Sequence, residues 1–105
     1  MRPRSLFAAL LLTACPLLRG EDWPEFRGPT GQGTSTAIGL PTEWSATKNV
    51  AWKVPVPGAG WSSPAISGGQ IFLTTGVPNA SGGVSLRALA LDVASGRALW
   101  ETEVF

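Results

Sequence analysis

The chain has 105 residues, a formal net charge of +1, no histidine and one cysteine, with 14% of its residues charged and 44% hydrophobic. The hydrophobic content excludes a chain that is disordered throughout, and no run of basic residues indicates a nucleic-acid surface. Thirteen glycines and nine prolines predict many turns between short elements.

The N-terminal residues have the order of an export signal. Two arginines, Arg2 and Arg4, precede an apolar run over residues 6–14. That run has the length of a signal-peptide core and is too short to cross a bilayer. We therefore predict a signal peptide over residues 1–20, helical in its core, and export to the periplasm or the extracellular space.

Two cleavage sites fit this signal. Residues 12–15, Leu-Thr-Ala-Cys, are similar to the bacterial lipobox, in which the cysteine becomes a lipid-bearing N-terminus. This alternative would anchor the protein to a membrane through Cys15 without spanning it. Ordinary cleavage near Gly20 is favoured, because Pro16 follows the cysteine. It removes Cys15 and three arginines, leaving five basic residues against seven acidic ones, a net charge of −2 and no disulfide. We expect no nucleic-acid partner.

Residues 21–48 form an irregular lead-in segment in this interpretation. They are rich in glycine, proline and threonine and show no sustained periodicity. Trp23 and Phe26 are predicted to pin the segment onto the body of the protein. The run GPTGQG over residues 28–33 lacks the lysine of a P-loop, and no strand precedes it and no helix follows it, so phosphate binding is not expected.

Residues 49–105 predict an all-β unit. Valines and Trp52 alternate with other residues over 49–56, the period of a strand, and Pro55 marks its end or an edge position. Four further strand-like runs follow, separated by Gly68-Gly69, by a loop over 76–83 and by a turn near Gly96. These runs cover residues 63–67, 70–75, 85–92 and 97–105.

The stretch ALDVASGRALW, residues 90–100, predicts a hairpin with a defined turn. Asp92 can accept hydrogen bonds from the turn amides, and Gly96 can adopt the left-handed conformation that closes the turn. Trp100 on the returning strand is large enough to fill the gap between adjacent sheets. VAWKVPV from Val50 and ALWETEV from Ala98 place tryptophan alike, at a spacing within the ~40–50-residue period of propeller blades.

This stretch resembles the tryptophan-docking repeat of the β-propeller family named after pyrroloquinoline quinone (PQQ), whose pattern is Ala-x-Asp-x-x-Thr-Gly-Lys-x-x-Trp. Ala90, Asp92, Gly96 and Trp100 match directly. The lead-in DWPEFRGPTGQG and the run LPTEWSATKNVAWKVPVPGAGWSSP look like the start of the secreted PQQ-like propellers of planctomycete-type bacteria. The resemblance covers nearly all of the chain after the signal.

The resemblance implies that residues 49–105 are the first part of an incomplete β-propeller, with about one four-stranded antiparallel blade and one strand before it. The strand over 49–56 would close the ring by pairing with the last blade. Propellers have about 4–8 blades, so we expect an N-terminal fragment whose missing blades come from the rest of a longer chain.

The functional expectation is a non-catalytic binding or scaffold module of the cell envelope with a protein partner. The alternative is the N-terminal part of a PQQ-dependent alcohol or sugar dehydrogenase, for which the resemblance implies PQQ and calcium. Without histidine, the chain has no Ser-His-Asp arrangement, and no catalytic or metal-ligating set is evident. A third alternative is a propeller fused to another enzyme or to a sensor domain that follows it in the chain.

Few residues are candidates for a site. Trp61 is assigned to packing in preference to a ligand. The alternative is stacking on a planar cofactor, because family blades begin near the central channel and Trp61 precedes the first blade strand. Glu101 and Glu103 share a strand face and are read as a solvated edge. Asp92 is assigned to its turn in preference to a calcium ion, and Arg87 to a strand face in preference to an anionic ligand.

Overall fold

The computed structural model describes residues 20–105. The predicted signal peptide and the lipobox at Cys15 lie outside these residues. Four strands are present: β1 (Ala65–Ser67), β2 (Gln70–Pro78), β3 (Val84–Asp92) and β4 (Ala98–Glu103). Within residues 20–105 no helix forms, so no helix of membrane-spanning length and hydropathy is found there.

The strands form one open antiparallel sheet in the order β1-β2-β3-β4. The all-β prediction is therefore confirmed. The β1–β2 hairpin turns through Gly68 and Gly69, whose φ angles are 57° and 79°. Positive φ at both central residues is the requirement of the tight turn whose twist matches that of the flanking strands.

β2 is longer than predicted, because Gly76 continues the strand and does not begin the loop. Gly76 exchanges backbone hydrogen bonds with Ala59 at 2.9 and 3.0 Å. A Cβ at this glycine would lie 2.9 Å from the Val84 side chain, so its absence allows the close approach of β3. The strand ends at Pro78, which has no N–H to donate.

The predicted strand over residues 49–56 is wrong. Its backbone joins no ladder among the described residues. Pro55 and Pro57 lack the N–H groups that a ladder needs, which explains part of the difference. The period-two pattern has another cause, since Trp52 and Val54 are half-buried while the residues beside them are exposed.

Side-chain hydrogen bonds at both ends hold this segment in place of a ladder. Trp52 Nε1 donates to the carbonyl oxygen of Val93 at 2.8 Å. Thr75 Oγ1 donates to the carbonyl oxygen of Pro57 at 2.6 Å. We call residues 52–57 the strap, because the segment runs from the β3–β4 turn to the middle of β2.

One face of the sheet is contacted by the strap and carries charged side chains, and the opposite face is open. Thr75 lies on the same face as Leu89 and Leu91, and the strap reaches this covered face through Thr75. The opposite, open face carries Phe72, Ala90 and Trp100 in one row across the sheet. The buried apolar core comprises only Leu89, Ala90 and Leu91 among the described residues. A single sheet thus buries little apolar surface within the chain.

The strap bond gives a direct test of this packing. Thr75→Val removes the buried hydroxyl that binds Pro57, so the Pro57 carbonyl loses its partner, and we expect the free energy of unfolding to fall by about 1–3 kcal/mol. Thr74→Val is the matched control, because Thr74 is exposed and its hydroxyl makes no hydrogen bond. Urea unfolding of both variants makes the comparison, and equal losses would contradict the assigned role of Thr75.

Candidate functional site

The turn between β3 and β4 is held by the Asp92 carboxylate. Its Oδ2 atom accepts hydrogen bonds from the Ser95 backbone N–H at 2.8 Å and from Ser95 Oγ at 2.6 Å. The Gly96 N–H donates to the Asp92 carbonyl oxygen at 2.7 Å, and Gly96 has a φ of 72°. The hydrogen bonds from Ser95 hold the pKa of Asp92 below its ordinary value, and nearby Arg97 adds to the effect.

Trp52 packs its ring directly on this turn. A Cβ at Gly96 would overlap the six-membered ring of Trp52, so only glycine lets the indole lie this close. The indole N–H donates to Val93, as described for the strap. Sequence reasoning identified Trp52 as a strand residue and missed this contact. The available signal was the shared position of Trp52 and Trp100 in their two similar runs.

Trp100 lies on the open face of the sheet beside Phe72. The ring centroids are 6.3 Å apart and the rings are tilted by 43°. Between them, Ala90 is 0% exposed, whereas Trp100 keeps 44% of its surface exposed. The small side chain of Ala90 leaves room for both rings, and the outer side of Trp100 lacks cover within residues 20–105.

Trp61 is fully exposed, so it does not pack within the described part of the chain. It stands beside an open groove of about 390 Å³ at the end of the sheet. Gly60, next to it, approaches β2 so closely that a Cβ would lie 2.9 Å from the Thr74 carbonyl oxygen. Ser62 fixes the other side through hydrogen bonds to both backbone groups of Thr74. The neighbours of Trp61 are therefore fixed while its indole is free to contact a partner.

Arg87, Glu101 and Glu103 lie on the covered face, on β3 and the edge strand β4. Arg87 Nη1 and Glu101 Oε1 form an ion pair at 2.8 Å, and Arg87 Nε also donates to Ser85 Oγ at 3.2 Å. Glu103 lies opposite Arg87 in the strand register, on the same face as Glu101. The side chain of Arg87 is therefore bound by other residues of the sheet. Separately, no group of three metal-ligating side chains occurs within residues 20–105.

The turn carboxylate gives a pH-dependent prediction. Because hydrogen bonds from Ser95 lower the folded-state pKa of Asp92, they stabilise the fold above the unfolded pKa, and this contribution disappears as pH falls through the folded pKa. Ser95→Ala should raise the pKa of Asp92, and its stability difference from wild type should vanish in acid. Carboxyl ¹³C titration measures the pKa, with Ser81→Ala in the 79–83 loop as control. An unchanged Asp92 pKa in Ser95→Ala would contradict the assignment.

The chain was also compared with known proteins. No family model, no curated protein and no solved structure matches it.

Proposed function

We propose that this chain is the first part of an exported PQQ-like β-propeller that serves as a non-catalytic binding or scaffold module of the cell envelope. The observation that carries the proposal is the docking of Trp52 on the Gly96 turn. This contact joins a tryptophan from one run of the sequence to the turn of the unit that follows it. Such a contact between successive units is what a repeat architecture requires.

The similarity of the two tryptophan-containing runs indicates that Trp100 makes a corresponding contact with a turn outside this sheet. Trp52 and Trp100 hold the same place in VAWKVPV and ALWETEV. Trp52 has a partner turn, and Trp100 is half exposed beside Phe72. We expect Trp100 to meet a turn of the same kind, an Asp-x-x-Ser/Thr-Gly sequence, in an adjoining blade.

The open face supports the same architecture. Its central rows hold apolar, threonine and glycine residues, and the charged residues of the sheet interior lie on the covered face. The row Thr74, Ala88 and Thr102 has smaller side chains than the row Phe72, Ala90 and Trp100 taken as a whole. A second sheet can pack on such a face with its strands aligned or crossed. A blade in a ring is covered in this way on both faces.

A binding role suits the surface near β1. Trp61 projects from a backbone that Gly60 and Ser62 hold against β2, as described above. An exposed tryptophan on a fixed backbone is a typical anchor of protein interfaces. A protein partner in the envelope is therefore the proposed ligand, and the predicted signal peptide is the basis for placing the encounter outside the cytoplasm.

The non-catalytic assignment is tested with the purified exported protein, PQQ, Ca²⁺ and an electron-accepting dye, with alcohols and sugars as substrates. We expect no Ca²⁺-dependent reduction of the dye and no quinone absorbance that stays with the protein through gel filtration. Trp61→Ala serves as the matched variant. Retained quinone together with dye reduction, both lost in Trp61→Ala, would assign the protein to the dehydrogenases.

The two tryptophans predict different responses to the same substitution. Trp52→Phe removes the N–H that binds Val93 and leaves that carbonyl unpaired, so we expect the free energy of unfolding to fall by about 1–2 kcal/mol. Trp100→Phe, which loses no hydrogen bond within residues 20–105, should cost less in this chain. Urea unfolding measures both. A larger loss for Trp100→Phe would show that Trp52 is not the docked tryptophan.

A further inference from the structure

The loop that joins β2 to β3, residues 79–83, begins with the sequence Asn79-Ala80-Ser81. Asparagine, then any residue except proline, then serine or threonine is the acceptor pattern for N-linked glycans. The other asparagine of the chain, Asn49, is followed by Val50-Ala51 and does not match the pattern. Because so short a pattern often occurs by chance, the geometry around Asn79 decides whether it can act as an acceptor.

The β2–β3 loop is open to solvent along its whole length. Every residue from Pro78 to Val84 is exposed, and residues 80–83 have small side chains or none. Pro78 and Val84 form the last pair of the ladder between β2 and β3, so the loop lies beyond the strand ends. A large group attached to this loop would therefore extend away from the strands and need not cover either face of the sheet.

Hydrogen bonds fix the Asn79 side chain in one orientation. Its Oδ1 atom accepts the Gly83 backbone N–H at 2.8 Å and the Ser81 hydroxyl at 2.8 Å. Because a backbone N–H can only donate, the amide oxygen and not the amide nitrogen must face Gly83. Backbone hydrogen bonds from Asn79 to Gly83 at 2.9 Å and from Gly82 to Asn79 at 3.2 Å close the same loop. The two side chains of the acceptor pattern are thus in contact in the folded chain.

The amide nitrogen of Asn79, the atom that a glycan would join, is left free by this arrangement. Nδ2 makes no hydrogen bond within residues 20–105, since the loop uses only Oδ1 of this side chain. A Cβ at Gly83 would lie 3.2 Å from Nδ2, so the missing side chain keeps the space beside the nitrogen open. The loop therefore needs the oxygen of Asn79 for its own stability and leaves the nitrogen available for chemistry.

We propose that Asn79 is an acceptor site for an N-linked glycan. The co-substrate class is a sugar carried on a polyprenyl pyrophosphate. Nδ2 forms a bond to C1 of the sugar, the bond from C1 to the pyrophosphate oxygen breaks with its electron pair on that oxygen, and one Nδ2 proton passes to a base of the transferase. The predicted export signal would take the loop to the compartment where exported proteins are modified. The bulky, polar glycan would then solubilise this end of the sheet.

Glycosylation of the purified full chain tests the site directly. The reaction contains a single-subunit oligosaccharyltransferase that requires only the three-residue pattern, together with a lipid-linked oligosaccharide. We expect the intact mass to rise by one oligosaccharide and peptide mapping to place it on Asn79. Asn49→Gln is the matched control and should keep the full addition, whereas Asn79→Gln and Ser81→Ala should lose it. Addition that persists in Asn79→Gln overturns the proposal.

Two further samples separate the pattern from the fold. Ser81→Thr keeps the hydroxyl and should keep the addition that Ser81→Ala loses. A synthetic peptide of residues 76–86 presents the same sequence without the fold. A modified peptide beside an unmodified full chain would show that the folded loop is closed to the enzyme, and an unmodified peptide would show that the sequence itself is no acceptor; either result overturns the proposal. These results do not depend on the ring, so failure of the proposed function leaves them unchanged.

Discussion

The packing of Trp52 on the Gly96 turn is the contact on which the rest of the structure depends. It fixes one end of the strap, and the Thr75–Pro57 hydrogen bond fixes the other. With both ends held, the strap lies along the face that buries Leu89 and Leu91. Gly96 is required twice, because the turn needs positive φ and the indole needs the space of a missing side chain. Asp92 and Ser95 then set the turn in the conformation that receives the indole.

Within residues 20–105, the sheet is covered on one face only. The strap supplies a single layer on the covered face, while Trp100, Leu86 and Val104 remain partly exposed around the opposite one. A repeat unit buries its apolar faces by stacking on its neighbours. Under the ring proposal, a neighbouring sheet would cover the open face, and Trp61 before β1 would remain available for recognition.

Much of the sheet could be predicted from local sequence, and the side-chain docking could not. Gly68-Gly69 indicates its hairpin because positive φ is a property of those residues alone. The end of β2 was predicted too early, before Gly76. The role of Gly76 depends on its contacts with Val84 and Ala59, which are distant in the chain. The pattern of residues 49–56 agrees with the half-burial of Trp52 and Val54 but not with the exposure of Val50 and Val56. Periodicity also does not distinguish a ladder from a strap. Trp23 was expected to pin the lead-in segment, yet its pairing with Ile66 is a tertiary contact that no local pattern encodes.

The proposed ring requires this sheet to be one unit of a repeat. Reading the coding DNA beyond the codon of Phe105 tests it most directly. We expect an open frame with further Asp-x-x-Ser/Thr-Gly-x-x-x-Trp units at intervals of roughly 40–50 residues, each supplying a turn for the preceding tryptophan. A stop codon at that point, or a continuing frame without such units, would rule out the ring and leave Trp100 without a partner turn.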